Sequence, residues 1–139
     1  MVKYVNKLTY LLGDYAMNDN TFGEYLRILR LSRDPVMTQE ALAKAIGRGK
    51  MTISQFEQGK NSPPQGDLLN KIIQALNLTQ EEEAKLRFLS AKARKDIPAD
   101  IEDYFFSTPE IYATIRAAMK RKKVVDWEII LDELENKDE

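Results

Sequence analysis

Lys50, Met51, Ser54 and Gln55 stand within AIGRGKMTISQFEQGK, residues 45–60. At helical spacing they fall on one outward face. That face offers an ammonium, a thioether, a hydroxyl and a carboxamide, which donate and accept hydrogen bonds at short or medium reach. It holds no strong nucleophile and no general base. The whole chain has no cysteine and no histidine. Thiolate nucleophiles, disulfides, Cys/His zinc sites and histidine acid–base catalysis are therefore excluded. A carboxylate-only enzyme would need a marked acidic pair, and none stands out. The expectation is no enzyme, no cofactor and no metal. A helix with such a face fits the DNA major groove, where every base pair shows its own pattern of donors, acceptors and methyl groups.

Those residues must be held by their neighbours. Thr38 caps a helix that carries Leu42, Ala43 and Ile46 inward. Gly47 is a natural stop, because glycine takes positive φ without steric cost. A short helix from about Gly49 to Gln58 follows, with Ile53 and Phe56 inward, and it ends at Gly59. Ala43 is small where the two helices would meet. Upstream, TFGE (Thr21 to Glu24) has the form of a capping box. Phe22, Leu26 and Leu29 then share a face up to about Arg33, and Pro35 breaks the helix. Downstream, KNSPPQG reads as a loop. DLLNKIIQALNL is strongly amphipathic, with Leu68, Leu69, Ile72, Ile73 and Leu76 on its buried face. TQEE (Thr79 to Glu82) opens another helix, through Ala84, Phe88 and Ala91 to about Lys95. The acids at 81–83 suit a first helical turn.

The segment MTQEALAKAIGRGKMTISQFEQGK resembles the helix-turn-helix of the lambdoid phage repressor and Cro family, also called the XRE-type family. The family pattern appears as Met37, Thr38, Gln39, Leu42, Ala43, Gly47, Ile53, Glu57, Gly59 and Lys60, and the likeness extends over residues 22–78. It implies an all-α fold, a five-helix lambda-repressor-like domain with a short helical C-terminal extension. It also implies that Lys50, Met51, Ser54 and Gln55 face base edges. Gln55 suits adenine, Lys50 suits guanine or a phosphate, and Met51 suits a thymine methyl. The implied phosphate contacts are Thr38, Gln39, Arg48, Thr52, Lys60 and Asn61, with Gln39 helped by a positive helix end. Lys60 and Asn61 would act partly through main-chain amides. Arg48, in the turn, suits solvent equally well. Arg30 and Glu57 resemble the family's internal ion pair, with a DNA contact as the lesser reading for Arg30. Two features depart from the pattern. The linker LSRDPVM is about two residues longer than usual, and Gly49 replaces the usual Ser or Thr cap.

Residues 21–60 hold seven basic and four acidic residues, whereas residues 61–139 hold 12 and 16. This places a basic segment beside an acidic one, weak support for a localised anion-binding face. No apolar run approaches the ~18 residues of a membrane span, and the first residues lack a signal-peptide pattern. The expectation is a cytoplasmic, nucleoid-associated protein of bacterial or phage origin with no membrane partner. Three regions are read. Residues 1–20 form an N-terminal helical arm, with a stripe of Tyr4, Leu8, Leu11, Leu12 and Tyr15. Residues 21–95 form the helix-turn-helix domain, and residues 96–139 a helical extension. In the extension, helices are expected over 98–106, from a cap at Thr108 and Pro109 to about Arg121, and over DWEIILDEL, with ENKDE as a frayed tail. KRKK (120–123) is read as cations at a helix C-terminus before a second DNA patch. Tyr104, Phe105, Tyr112, Trp127, Ile130 and Leu134 are read as a dimer or partner surface. The function expected is a sequence-specific regulator of transcription, a repressor that binds a palindromic operator on double-stranded DNA as a homodimer. The alternative is an antitoxin that binds a small toxin and autoregulates its operon.

Overall fold

A computed structural model describes residues 20–137. The helix expected over 2–16 lies outside them. The described residues form eight α-helices. Two compact units divide the chain, one ending at Asp100 and one beginning at Ile101.

In the first unit, α1 (Phe22–Leu31) starts at a complete capping box. The Glu24 amide donates to Thr21 Oγ1 at 3.2 Å, and the Thr21 amide donates to Glu24 Oε2 at 3.0 Å. The helix stops two residues short of Arg33. The Ser32 hydroxyl and Arg33 Nε both donate to the Leu29 carbonyl, at 2.8 and 3.0 Å, and close the turn. α2 (Gln39–Ala45) is capped by Thr38, whose hydroxyl accepts from the Ala41 amide at 3.0 Å. α3 (Lys50–Glu57) starts at Gly49 with no side-chain cap. α4 (Gly66–Leu76) ends one residue before Asn77, which takes the left-handed conformation at φ +48°. α5 (Gln80–Arg94) starts at a second complete capping box, Thr79 with Glu82.

One core joins these helices. Phe22, Leu26 and Leu29 of α1 meet Leu42, Ala43 and Ile46 near α2, Ile53 and Phe56 of α3, and Leu69, Ile72 and Leu76 of α4. α2 packs on α3 and α4, and α1 packs on α3 and α5. In α5 the buried side chains are Lys85, Leu86, Leu89, Ser90 and Ala91, so of the expected line of Ala84, Phe88 and Ala91 only Ala91 is buried. Ala84 and Phe88 are only half-buried. Lys85 is admitted because its Nζ lies 4.3 Å from the centre of the Tyr25 ring, within cation–π range.

Arg33 ties helix ends together. Its Nη1 donates to the Leu76 carbonyl at 3.1 Å, and its Nη2 pairs with Glu82 Oε2 at 2.6 Å. Burial alone would raise the Glu82 carboxyl. Hydrogen bonds from Arg33 and the Thr79 amide, with the guanidinium charge, outweigh it and hold the group below its ordinary value.

The second unit contains α7 (Pro109–Lys120) and α8 (Trp127–Asn136); α6 (Ala99–Ser107) runs into it across the boundary. Thr108 does not cap α7. Its hydroxyl turns back and donates to the Tyr104 carbonyl at 2.7 Å. Asp126 caps α8, accepting from the amides of Glu128 and Ile129 at 3.1 and 3.3 Å. α8 continues through Asn136, into the stretch expected to fray, with Asn136 donating to Asp132 Oδ1 at 2.7 Å. Phe105 meets Tyr112 edge-on at 5.0 Å. No residue of α6, α7 or α8 is buried. Among the described residues, no helix is long and apolar enough to cross a membrane.

Candidate nucleic-acid interface

The geometry of α2 and α3 rests on two glycines. Gly47 has φ +71°. Around it the Arg48 amide donates to the Ala43 carbonyl at 2.9 Å, and the Gly47 amide to Lys44 at 3.2 Å. This is a Schellman stop, and it ends α2 sharply enough for α3 to begin at Lys50. Gly59, also at φ +71°, repeats the device after α3. There the Lys60 amide donates to the Gln55 carbonyl at 2.9 Å and the Gly59 amide to Phe56 at 3.2 Å. Ile53 and Phe56 are buried on the inner side of α3, and Phe56 meets Phe22 edge-on at 6.4 Å.

A buried ionic cluster braces α3 from below. Arg30 Nε and Nη2 donate to the two carboxylate oxygens of Glu57, at 2.7 and 3.1 Å. Arg30 Nη1 donates to the Met37 carbonyl at 3.0 Å, and Gln39 Nε2 donates to Glu57 Oε2 at 2.7 Å. The Arg30 and Glu57 side chains are only 8% and 5% exposed. Glu57 thus links α1, α2 and α3. Gln39, expected to reach a phosphate, has its amide nitrogen committed inward.

Gly23 is a positioning residue that sequence reasoning missed. A Cβ there would lie 2.3 Å from the Phe56 carbonyl oxygen and 2.5 Å from that of Glu57. The end of α3 therefore sits directly on the backbone of α1. A glycine in a first helical turn, where propensity disfavours it, was the available signal.

The outer face of α3 carries the four expected side chains. Met51 is two-thirds exposed at 67%, Lys50 is exposed, and Ser54 and Gln55 are half-buried. Three of the four have a neighbour. Lys50 Nζ lies 3.6 Å from Glu40 Oε1, Ser54 Oγ accepts from Gln58 Nε2 at 3.1 Å, and Gln55 Oε1 accepts from Asn61 Nδ2 at 2.7 Å. Glu40 and Gln58, absent from the expected set, therefore belong to this surface. Thr38, Arg48, Lys60 and Asn61 are exposed around it, and Thr52 is half-buried. The amides of Lys60 and Asn61 both point to the Gln55 carbonyl, at 2.9 and 3.5 Å. They close the helix and are not free for a phosphate, which leaves the Lys60 side chain for that role, while the Asn61 side chain is engaged with Gln55. Among the described residues, no three of His, Cys, Asp or Glu are grouped to hold a metal ion.

In the second unit, Tyr104 and Leu134 are exposed, at 70% and 65%. Trp127 and Ile130 are also exposed, and Phe105 and Tyr112 are half-buried.

No curated protein and no solved structure matches the chain. Residues 21–86 match the family model of a helix-turn-helix domain, which is the arrangement that α1 to α5 build.

Proposed function

We infer that this chain is a sequence-specific regulator of transcription of the XRE type, a repressor that inserts α3 into the major groove of double-stranded DNA. One observation carries the reading. Ile53, Phe56 and the Arg30–Glu57–Gln39 cluster fix α3 from within, while Lys50, Met51, Ser54 and Gln55 are left on its outer face. Such a helix is rigid where it is anchored and hydrogen-bonding where it is open, as base readout requires. Thr38, Arg48, Thr52 and Lys60 flank that face and suit phosphates through their side chains. Glu57 and Arg30 are structural.

One short helix reads few base pairs, so the operator is a palindrome bound by a dimer, with half-sites about one turn (~34 Å) apart. The exposed aromatic and aliphatic side chains of α6 to α8 suit the second copy. The full chain, offered a pool of randomised duplexes, should enrich an inverted repeat of that spacing. Enrichment of no sequence would refute the reading. Lys60→Ala should lower the slope of log affinity against log salt by about 0.9, the value of one phosphate contact.

The same uncovered surface in the second unit favours a second reading, an antitoxin that holds a small toxin there and represses its own operon. Co-purification of a small basic protein with the chain would select it over the plain repressor.

A further inference from the structure

The carboxamide of Gln55 has one end engaged and the other open. Asn61 Nδ2 donates to Gln55 Oε1 at 2.7 Å. Gln55 Nε2 makes no hydrogen bond among the described residues. The bond follows from how α3 ends. Gly59 reverses the chain at φ +71°, the amides of Lys60 and Asn61 turn back onto the Gln55 carbonyl, and the Asn61 side chain comes to lie on that of Gln55. The loop that follows is also held. Ser90, fully buried, donates to the Pro64 carbonyl at 2.7 Å. Asn61 thus approaches Gln55 from a segment tethered at both ends.

A free glutamine amide pairs with adenine by offering both its ends, the oxygen to the N6 amino group and the nitrogen to N7. A glutamine whose oxygen already accepts from a neighbour offers chiefly donors. Guanine presents two adjacent acceptors, N7 and O6, whereas adenine sets a donor beside N7. We propose that Asn61 is a positioning residue that holds the Gln55 oxygen and so makes Gln55 a reader of guanine in preference to adenine. The proposal rests on α3 entering the major groove, and it revises the base first matched to Gln55.

The test is selection from one randomised duplex pool by the full chain and three variants. Gln55→Ala locates the position, since discrimination should be lost there and kept elsewhere. At that position the wild-type chain prefers guanine. Asn61→Ala releases the oxygen and moves the guanine-to-adenine ratio toward adenine by roughly tenfold, about the worth of one base contact. Asn61→Asp replaces the donor by a carboxylate that accepts from Gln55 Nε2. It turns the oxygen outward and should shift the preference to adenine further. Asn61 is exposed and outside every helix, and thermal melts confirm that both variants stay folded. A wild-type preference for adenine there overturns the proposal. So do Asn61 variants that weaken binding without altering any base preference. If the wild-type chain enriches no sequence, the reading of α3 itself fails and takes this one with it, so the two failures are told apart.

Discussion

Glu57 accepts from Arg30 twice and from Gln39 once in a place where little water reaches. Removing one partner of such a buried pair strands the other charge, which costs far more than the pair's own net worth. Glu57→Ala should therefore destabilise the fold by about 3–5 kcal/mol in urea unfolding. A loss under ~1 kcal/mol would show that the cluster is open to solvent. Glu40 is the opposite kind of residue. Its contact with Lys50 is long and exposed, so it contributes little to stability. It does place a negative charge beside the proposed DNA face. Glu40→Gln should leave the melting temperature unchanged and tighten binding to any DNA several-fold at low salt. Unaltered affinity would move Glu40 away from the DNA. Glu82 gives a pH signature. Its carboxyl is held below its ordinary value in the fold, so it adds stability above the ordinary carboxylate range, and that stability is lost as pH falls through the lowered value. Glu82→Gln should melt below wild type at neutral pH, and the gap should close in acid. A gap independent of pH would contradict the sign.

At the scale of helices, the backbone approach at Gly23 makes a sharp forecast. Gly23→Ala pushes a Cβ against the Phe56 and Glu57 carbonyls, which are backbone and cannot swing aside. It should cost about 1–3 kcal/mol and shift α3, seen as a lower melting temperature and lost DNA binding. A neutral outcome would mean that α1 and α3 are not so close. Gly49→Ser has open space around its Cβ and should add a few tenths of a kcal/mol by capping α3. Helix ends were legible in the sequence because their chemistry is local. Thr21 with Glu24, Thr79 with Glu82, and the stops at Gly47 and Gly59 depend only on neighbours along the chain. The inward side of α5 was not legible. Its spacing permits both an 84–88–91 stripe and a side through 85, 86, 89 and 90, with Ala91 common to both, and the choice falls to the surface α1 presents. Gly23 and the inward turn of Gln39 were hidden for the same reason, since their partners lie on other helices. Thr108 looked like a cap, but it makes no capping bond and its hydroxyl donates to a carbonyl of the preceding helix.

At the scale of the molecule, the buried residues among those described all lie at or before Ala91. A chain ending at Lys95 should therefore remain folded, with a melting temperature near that of the full protein. It should sediment as a monomer and bind the operator more weakly, because the exposed face of α6 to α8 is gone. An unchanged dimer would place self-association elsewhere. The charge balance also reads differently once the fold is known. Of the seven basic residues in 21–60, Arg30 and Arg33 are spent on internal carboxylates. The basic charge left for a polyanion includes Lys50 beside Lys44, Arg48 and Lys60 near α2 and α3. The central claim, that α3 reads sequence, meets its most direct test in competition binding of Lys50→Ala and Gln55→Ala. Each should lose ~1–3 kcal/mol on the selected site and much less on random DNA. Equal losses on both DNAs would contradict base reading and leave α3 a phosphate-binding helix.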